Sequence, residues 1–332
     1  MCLQLLHIQP DPIHDDKLSM KTVAVANPHA CNGRVGRHWA DYARRMTEVF
    51  GPVEFCLTTA PCEATTLVRQ AIHAGAERIV VVGGDGSVNE AVNGFFENDQ
   101  PIGAEVALAV WPVGTGCDFA RSIGLSGVSL TQAYAAATER RIDVGKTSFT
   151  NHEGRRESRY FLNISSCGSS GLIADKVNKS HKWLGSQLSY YIGTLHGLMA
   201  YRNQRVRLRI DDKIDEEMVI NTVAIANGRY FGGGMMIAPN ALLDDGALDI
   251  VVVGNVGMMT FLKDSPLLYK GKHLAQPYIR SFRGSVVEVT PLGDTPVLLE
   301  CDGEQVGRLP ARYEILPQAL RLLAPGGAGQ IS

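Results

Sequence analysis

The sequence lacks any apolar run that approaches the ~20 residues needed by a helix that crosses a bilayer. Its first residues also lack a basic stretch followed by an apolar one and a small-residue cleavage site, which together mark a secretory signal. Both absences argue against a transmembrane or exported protein. We therefore expect a cytoplasmic protein that is soluble or peripheral to the membrane.

Disulfide and metal-binding patterns are also missing. The seven cysteines are odd in number and never spaced as C-x-x-C, and none of the nine histidines forms H-E-x-x-H. Scattered thiols of this kind are typical of a reduced cytoplasmic protein rather than of a disulfide or zinc framework. We expect no structural zinc.

The sequence also has no excess of basic residues. The formal net charge is −2 at pH 7, and no repeat combines aromatic with basic residues. The chain therefore gives no general electrostatic reason to bind nucleic acid. With 332 residues, of which 45% are apolar and 20% charged, it has an ordinary globular composition and enough length for two domains with their own cores.

The first half of the chain alternates short apolar strands with one-sided helices. Strands are predicted at Thr22–Ala26, Val53–Leu57, Ile79–Val82 and Val106–Trp111. This alternation is typical of a parallel, doubly wound α/β sheet. We predict a nucleotide-binding α/β domain over residues 21–142, preceded by a flexible extension at residues 1–20.

Beyond residue 142 the pattern changes to β-type runs with few intervening helices. Polar turns such as Asp211-Asp212 separate these runs, which favours antiparallel pairing. We predict a β-rich, mostly antiparallel second domain over residues 143–316. The last residues, 326–332, are expected to form a flexible tail.

The stretch Ile79–Phe95, IVVVGGDGSVNEAVNGF, carries the strongest functional signal. A β-branched strand runs into Gly83-Gly84-Asp85-Gly86, after which the apolar residues take the spacing of a helix. Glycines let the backbone approach a ligand, and a helix start presents unpaired N–H groups to the same point. Ser87 is expected at the N-cap. The stretch predicts a nucleotide phosphate site, although a tight turn in any α/β domain has the same outline.

Polar residues end the other predicted strands of this domain. The strand ends carry Asn27, Thr59, Asp85 and Thr115, the last of them in a second glycine loop, Pro112–Arg121. Ligands of doubly wound sheets collect at the carboxyl ends of the strands. We therefore expect four loops to converge on one crevice.

Two acidic turns lie in the second half. One is Asp244-Asp245-Gly246, and the other is Cys301-Asp302-Gly303-Glu304 at the end of a predicted strand. Carboxylates on a turn can hold Mg²⁺ or take a proton from a hydroxyl, and both tasks belong to phosphoryl transfer. Asp-Gly is also the commonest hairpin turn, so a hairpin alone would explain Asp302-Gly303.

Taken together, these stretches resemble the diacylglycerol kinase catalytic-domain family, which takes in bacterial diacylglycerol kinases and relatives that act on ceramide, sphingosine and other lipids. The match spans about residues 21–325 and rests on six motifs in order. They are Asn27-Pro28, GGDGS with Asn89-Glu90, P-x-G-T-x-x-D-F-A-R, Phe-Gly-Gly-Gly-Met, D-D-G-x-L-D and Asp-Gly-Glu. The GGDG loop also looks like that of NAD kinases and phosphofructokinases.

The resemblance implies ATP and Mg²⁺ as cofactors. The residues implied to bind ATP are Asn27, Thr59, Gly83, Gly84, Asp85, Gly86, Ser87, Asn89, Glu90, Gly114, Thr115 and Asp118. A structural Mg²⁺ would bind the Asp245 side chain and the backbone carbonyls of Leu242 and Ala247. Glu304 would be the general base and Asp302 a second catalytic residue, with Asp302, Asp85 and Asp118 helping to place the catalytic Mg²⁺ or the phosphates. The family also implies that the second domain holds the lipid and that residues 317–325 return to the first.

Two positions depart from the family pattern. Ser87 stands where the family usually has threonine and keeps the hydroxyl. Cys117 stands where it usually has asparagine, and a thiol is a poor replacement for an amide that can both donate and accept. The geometry of the second glycine loop is therefore expected to differ from the family's.

The leading interpretation is an ATP-dependent, Mg²⁺-requiring kinase that phosphorylates the hydroxyl of a lipid at the membrane surface. A kinase of a soluble acceptor, such as NAD or a sugar phosphate, is the enzymatic alternative. The non-enzymatic alternative is a regulator that binds a nucleotide or a lipid without catalysis. The sequence leaves open which lipid is the acceptor and whether the protein forms a homodimer.

Overall fold

The computed structural model describes residues 20–113, 117–180 and 201–326. Their contacts divide them into two compact units. Unit 1 takes in the described residues up to Ile142 and those from Gln318 onward, whereas unit 2 runs from Asp143 to Pro317. The predicted terminal extension, apart from Met20, and the predicted tail, apart from Gly326, lie outside the described residues.

Unit 1 is built on parallel strands. Its strands are β1 (Thr22–Ala26), β2 (Val53–Leu57), β3 (Arg78–Gly83), the two-residue β4 (Phe96–Glu97) and β5 (Gln100–Pro101), and β6 (Ala107–Pro112). Its helices are α1 (Ala30–Arg37), α2 (Trp39–Phe50), α3 (Glu63–His73), α4 (Asp85–Asn93), α5 (Asp118–Ser122) and α6 (Leu130–Ala135). Parallel pairing gives the order β2-β1-β3-β6. The predicted doubly wound α/β fold is confirmed.

The strands of this sheet are apolar for a physical reason. β1 is buried along its whole length, and Ile79 to Val82 of β3 are at most 1% exposed. Parallel strands need a helical crossover between them, so helices cover both faces of the sheet and both faces must be apolar. This explains why an unbroken β-branched run predicts β3 correctly.

An aromatic contact fixes the end of β6, from which the second glycine loop departs. The rings of Trp111 and Tyr134 stack with their centroids 6.2 Å apart, and Phe50 of α2 meets Tyr134 edge-on at 5.0 Å. The Tyr134 hydroxyl also accepts a hydrogen bond of 2.9 Å from the backbone N–H of Val110. These contacts hold α2, β6 and α6 together next to the loop.

Unit 2 is dominated by antiparallel strands. β7 (Ala137–Thr150) continues into it from unit 1, and β17 (Glu304–Pro325) begins in it and ends in unit 1, where Arg321 and Leu322 pair in parallel with β6. The other elements of unit 2 are β8 (Arg156–Phe161), β9 (Ile164–Gly168), α7 (Ser169–Ser180), β10 (Gln204–Ile210), β11 (Ile214–Ile220), β12 (Thr222–Ala226), β13 (Leu248–Val253), α8 (Met258–Leu268), a 3₁₀ turn (His273–Ala275), β14 (Ile279–Gly284), β15 (Val286–Pro291) and β16 (Leu298–Cys301). The pairs β9–β12, β12–β13, β13–β14, β9–β16 and β16–β17 are all antiparallel. The predicted β-rich, antiparallel architecture is confirmed.

The period of the β-sheet separates the core of unit 2 from its surface. In β10 the side chains of Val206, Leu208 and Ile210 are buried, whereas the arginines between them are exposed. One of these, Arg207, donates to Asp215 of the neighbouring β11 at 2.6 Å. Alternation of this kind places every second residue in the core. Among the helices that the structure describes, none is long and apolar enough to cross a membrane.

Replacement of Gly307 by alanine is predicted to destabilise unit 2. A Cβ atom at this position of β17 would lie 2.4 Å from the Thr150 carbonyl oxygen and 2.5 Å from the Phe149 ring. Overpacking of this kind costs about 1–3 kcal/mol of unfolding free energy. Urea denaturation followed by circular dichroism should show a lower midpoint for Gly307→Ala. Gly293→Ala is the matched control, since no atom lies within 4 Å of its added Cβ. Equal midpoints for both variants would contradict the prediction.

Candidate active site

The first glycine loop joins β3 to α4. Helix α4 begins at Asp85, and its N-cap is Gly84 in an extended conformation, with φ −100° and ψ −166°. The expectation that Ser87 is the N-cap is wrong, because Ser87 is the third residue of the helix. A Cβ atom on Gly83 would lie 2.3 Å from the Ser87 hydroxyl oxygen. The loop therefore needs glycine at position 83 because Ser87 packs against it.

Asp85 connects the two glycine loops. Its carboxylate accepts hydrogen bonds of 2.9 Å from the backbone N–H groups of Asp118 and Phe119 at the start of α5. Burial raises the pKa of Asp85, while these two hydrogen bonds and the charge of Arg121 oppose the rise. Asp85 thus fastens the second loop to the first. No sequence pattern predicts this contact, since it depends on how the two loops meet in space.

Two thiols lie beside this junction. Cys31 and Cys117 both contact the Val113 carbonyl, and the Cys117 sulfur lies 3.9 Å from the Gly83 carbonyl oxygen. Burial raises the pKa of Cys117 to about 12, so the group is a neutral thiol. A thiol is a weak hydrogen-bond donor. Cys117 therefore still faces two loop carbonyls, with weaker contacts than an amide would make.

The other predicted nucleotide residues of unit 1 fall at strand ends and on α4. The Asn27 side chain accepts from the His29 N–H at 2.9 Å, and the Thr59 hydroxyl donates to Glu63 at 3.0 Å. Glu90 accepts from the Ala64 N–H at 3.3 Å. Gly86 and the buried Asn89 lie in α4. Gly114 and Thr115 lie outside the described residues, so the convergence of all four loops stays a prediction.

A cavity of about 320 Å³ opens beside the second glycine loop. Its wall includes Arg34, Arg45 and Arg121. Arg45 lies over the Trp111 ring, 5.7 Å from the centroid, and the Arg121 Nε lies 3.9 Å from Asp118. Guanidinium groups collected in a concave site suit a phosphate-bearing ligand. No sequence pattern indicates Arg45 as a site residue, because its place in this wall depends on the packing of α2.

In unit 2 the Asp-Gly-Glu motif forms a tight hairpin turn between β16 and β17. Asp302 and Gly303 have φ values of +46° and +88°, as in a type I′ turn. The Asp302 carboxylate accepts from three backbone N–H groups, those of Leu162 and Asn163 at 3.2 Å and Ile164 at 2.9 Å. The hairpin interpretation is therefore confirmed. Asp302 anchors the turn to the start of β9, and its catalytic role stays a prediction.

Glu304 is the first residue after this turn. It opens β17, is half-buried, and pairs with Cys301 across the hairpin. Because both residues of the turn are held by backbone hydrogen bonds or constrained dihedrals, the Cα–Cβ direction of Glu304 is fixed. A positioned carboxylate of this kind can act as a general base.

The glycine cluster of unit 2 closes on itself. Phe231 and Met235 form two backbone hydrogen bonds of 3.0 Å, and the three glycines between them all have positive φ. Nearby, the Asn227 amide donates to the carbonyl oxygens of Leu162 and Asp143 at 2.8 and 3.1 Å. The segment that Asp302 anchors is therefore fastened from a second side.

The predicted metal loop has protein partners for its carboxylate. One oxygen of Asp245 accepts from Arg283, and the other accepts from the Ala247 N–H at 3.2 Å. Asp143 closes the same turn by accepting from the Gly246 N–H at 2.7 Å. The Arg283 guanidinium also lies 3.5 Å from Asp249. Since a cation already neutralises Asp245, the loop of Leu242, Asp245 and Ala247 does not fit a structural Mg²⁺ as it stands.

Comparison with known proteins agrees with this two-part construction. Residues 21–147 match the family model described as the diacylglycerol kinase catalytic domain, and residues 163–324 match the YegS C-terminal NAD kinase beta sandwich-like domain. These matches define the class as a kinase of two parts, one α/β and one β-sandwich. The chain is thus similar to the diacylglycerol kinase catalytic domain in its first part and to the YegS C-terminal domain in its second.

Relatives of this family cover most of the chain. The diacylglycerol kinase of Bacillus subtilis (strain 168) is 26% identical over 305 residues, which are 91% of this chain and 95% of the relative. That of Mycobacterium tuberculosis (strain H37Rv) is 29% identical over 266 residues, 79% of this chain and 82% of its own. The crystal structure of a diacylglycerol kinase from Bacillus anthracis shares the fold, with a TM-score of 0.66, 22% identity and coverage of 93% and 98%.

Asp85→Ala is predicted to loosen the second glycine loop. It removes the acceptor for two backbone N–H groups at the start of α5, and each buried donor left unsatisfied costs about 1–3 kcal/mol. We expect a lower melting temperature and faster hydrogen exchange of the Asp118 and Phe119 amides, measured by mass spectrometry. Asp85→Asn keeps one acceptor oxygen and should show about half of the effect. Unchanged exchange in both variants would contradict the fastening role.

Removal of divalent metal is predicted to leave unit 2 stable. The positive charge beside Asp245 comes from Arg283, so chelation with EDTA should not lower the melting temperature. Arg283→Met should lower the unfolding free energy by about 1–2 kcal/mol, since it leaves Asp245 and the largely buried Asp249 without their cation. Arg308→Met, at an exposed position of β17, is the control. Destabilisation by EDTA equal to that of Arg283→Met would contradict this account.

Proposed function

We propose that this protein is an ATP-dependent kinase that phosphorylates the hydroxyl of a lipid. The match to the diacylglycerol kinase catalytic domain and the relatives named diacylglycerol kinase support kinase activity. The observation that supports the role of the second unit most strongly is the Cys301–Glu304 turn. In it Asp302 is engaged by three backbone N–H groups, whereas Glu304 is half-buried on a fixed hairpin.

In this proposal unit 1 binds ATP. The glycine loop at Gly83–Ser87 and the start of α4 offer backbone N–H groups to the phosphates, which carry the negative charge that a helix N-terminus favours. Asp85 keeps the second loop against the first. The arginine-lined cavity supplies further positive charge in the same unit. Positioning and charge neutralisation are the main tasks of a protein in phosphoryl transfer.

Magnesium fits the proposal as a partner of ATP. Mg²⁺ in kinase sites is bound through one or two carboxylates together with the phosphates of the substrate. Asp118 is the carboxylate of unit 1 that suits this task, because it is buried at the start of α5 next to the second glycine loop. When bound, Mg²⁺ would offset the negative charge of the triphosphate.

Glu304 is the proposed general base. Its carboxylate would take the proton of the lipid hydroxyl, and the hydroxyl oxygen would attack the γ-phosphorus of ATP as the bond to the β-phosphate oxygen breaks. ADP and the phosphorylated lipid are the products. Unit 2 would hold the lipid acceptor, and the protein would act at the membrane surface. Diacylglycerol is the first acceptor to test, with ceramide, sphingosine and phosphatidylglycerol beside it.

Glu304→Gln is predicted to abolish turnover while keeping ATP binding. Loss of a general base typically lowers kcat by ~10²-fold or more, and the amide keeps the shape of the side chain. Turnover is measured with radiolabelled Mg-ATP and each lipid in mixed micelles, followed by chromatography of the lipid product. ATP affinity, measured by calorimetry, should stay within about twofold of the wild type, because the proposed ATP site lies in unit 1.

Glu153→Gln is the matched control, since Glu153 is an exposed acid of unit 2 paired with Arg155. Wild-type turnover by Glu304→Gln with every accepted lipid would exclude the proposed base. Phosphorylation of NAD or a sugar phosphate, with no lipid product across the panel, would instead support a soluble acceptor.

A further inference from the structure

A second glutamate lies beneath the turn that carries Glu304. Glu300 is 4% exposed and sits in β16, two residues before Asp302. The motif as read from the sequence begins at Cys301, so Glu300 was not among the predicted site residues. A buried carboxyl group is costly unless it has hydrogen-bond partners. The hydrogen-bond partners of Glu300 therefore indicate its role.

Both carboxylate oxygens of Glu300 have a donor. One accepts from the backbone N–H of Gly303 at 2.7 Å, and the other accepts from the Ser166 hydroxyl. Ser166 lies 2.8 Å from the Ser170 hydroxyl at the start of α7. Burial raises the pKa of Glu300 to about 7, and the hydrogen bonds from Ser166 and Gly303 oppose the rise. Both oxygens of the buried carboxyl group are therefore engaged by protein groups, one of them a backbone N–H of the turn.

The contact with Gly303 has a direct consequence for Glu304. The N–H of Gly303 belongs to the peptide unit that links the two turn residues, and Glu304 follows at once. Asp302 holds the same turn through the start of β9. One acid therefore fixes the turn from within its own strand, and the other fixes it to a neighbouring strand.

The turn itself does not require Glu300. Asp-Gly already favours a type I′ turn, and an apolar residue at a buried strand position would cost less than a carboxyl group. A role limited to forming the hairpin thus leaves the burial of this acid unexplained. A role in aiming the next side chain explains it, since a displacement of 1 Å at a reacting group can cost about 10²-fold in rate.

We propose that Glu300 is a positioning residue, which holds the Gly303 N–H and thereby sets the direction of the Glu304 carboxylate toward the acceptor hydroxyl. This inference rests on the proposed role of Glu304 as the base. Glu300 does not touch the substrate in this account. It acts through one peptide group.

The test compares Glu300→Leu with Glu300→Gln in the mixed-micelle kinase assay. Leucine removes the acceptor for Gly303, whereas glutamine keeps one acceptor oxygen, and the Ser166 hydroxyl can rotate to accept from its amide. We expect Glu300→Leu to lower kcat about 10- to 100-fold with the KM for ATP within about twofold. Glu300→Gln should recover most of the turnover. A purely structural role would instead lower the amount of folded enzyme, leaving kcat per folded molecule unchanged.

Ser165→Ala is the matched control. Ser165 donates to the backbone carbonyl of Glu300 at 2.7 Å, so its loss disturbs the same buried site but spares the contact with Gly303. Circular dichroism and thermal melting give the folded fraction of each variant. If Glu300→Leu does not fold, Ser166→Ala, which removes the other donor, takes its place and should lower kcat about 3- to 10-fold.

The inference is overturned if kcat per folded molecule of Glu300→Leu equals that of the wild type, or if Glu300→Gln and Ser165→Ala fall as far as Glu300→Leu. Glu304→Gln, assayed in parallel, separates this from failure of the proposed function. An inactive Glu304→Gln beside a fully active Glu300→Leu rejects the positioning role alone. An active Glu304→Gln rejects the base, and the positioning role with it.

Discussion

Carboxylates that accept backbone N–H groups hold the functional loops of both units in place. Asp85 receives two such hydrogen bonds and Asp302 three, while Asp211 receives two from the start of β15. Loops have few apolar contacts, so they cannot be fixed by packing as strands are. A charged acceptor roughly doubles the strength of a hydrogen bond, which makes an acid an effective fastener for irregular backbone.

This interaction changes how acidic motifs are interpreted. An Asp or Glu next to a glycine is an obvious candidate for a metal ligand or a base, and the sequence supports that interpretation for Asp85, Asp245 and Asp302 alike. In the structure all three have protein partners for both carboxylate oxygens. For Asp245 the partner is a guanidinium, which leaves no need for a second cation. The glycines in these motifs allow the backbone to form the turns, and the hydrogen bonds to the neighbouring acids keep the turns in that conformation.

The sequence was sufficient for the architecture because local patterns determine it. Continuous β-branched runs predict the buried parallel strands of unit 1, and alternating runs with polar turns predict the antiparallel strands of unit 2. Ser87 is not the N-cap because helix α4 begins at Asp85, and its N-cap is Gly84, three residues before Ser87, in an extended conformation. Helix ends are set by single dihedral angles, which a pattern averaged over many residues does not resolve.

The sequence could not predict the hydrogen-bond and ion-pair partners of the site residues, for a different reason. The donors to Asp302 are 138 to 140 residues away in the chain, and Arg283 is 38 residues from Asp245. Such contacts follow from strand order, and strand order is not written in any short motif. Cys117 illustrates the same limit, since the sequence shows a thiol in place of the usual amide but not that this thiol faces the Gly83 and Val113 carbonyls.

The contrast between Asp85 and Glu300 shows how one kind of contact serves two ends. Burial raises the pKa of both acids, and backbone N–H groups lower both again. Asp85 joins the two glycine loops, so its effect falls on the shape of the proposed nucleotide site. Glu300 closes on a peptide three residues along its own hairpin, so its effect falls on a single neighbouring side chain. A carboxylate that joins distant segments affects ligand affinity, whereas a carboxylate that binds within one turn affects the direction of a neighbouring side chain. Proton transfer depends most on that direction.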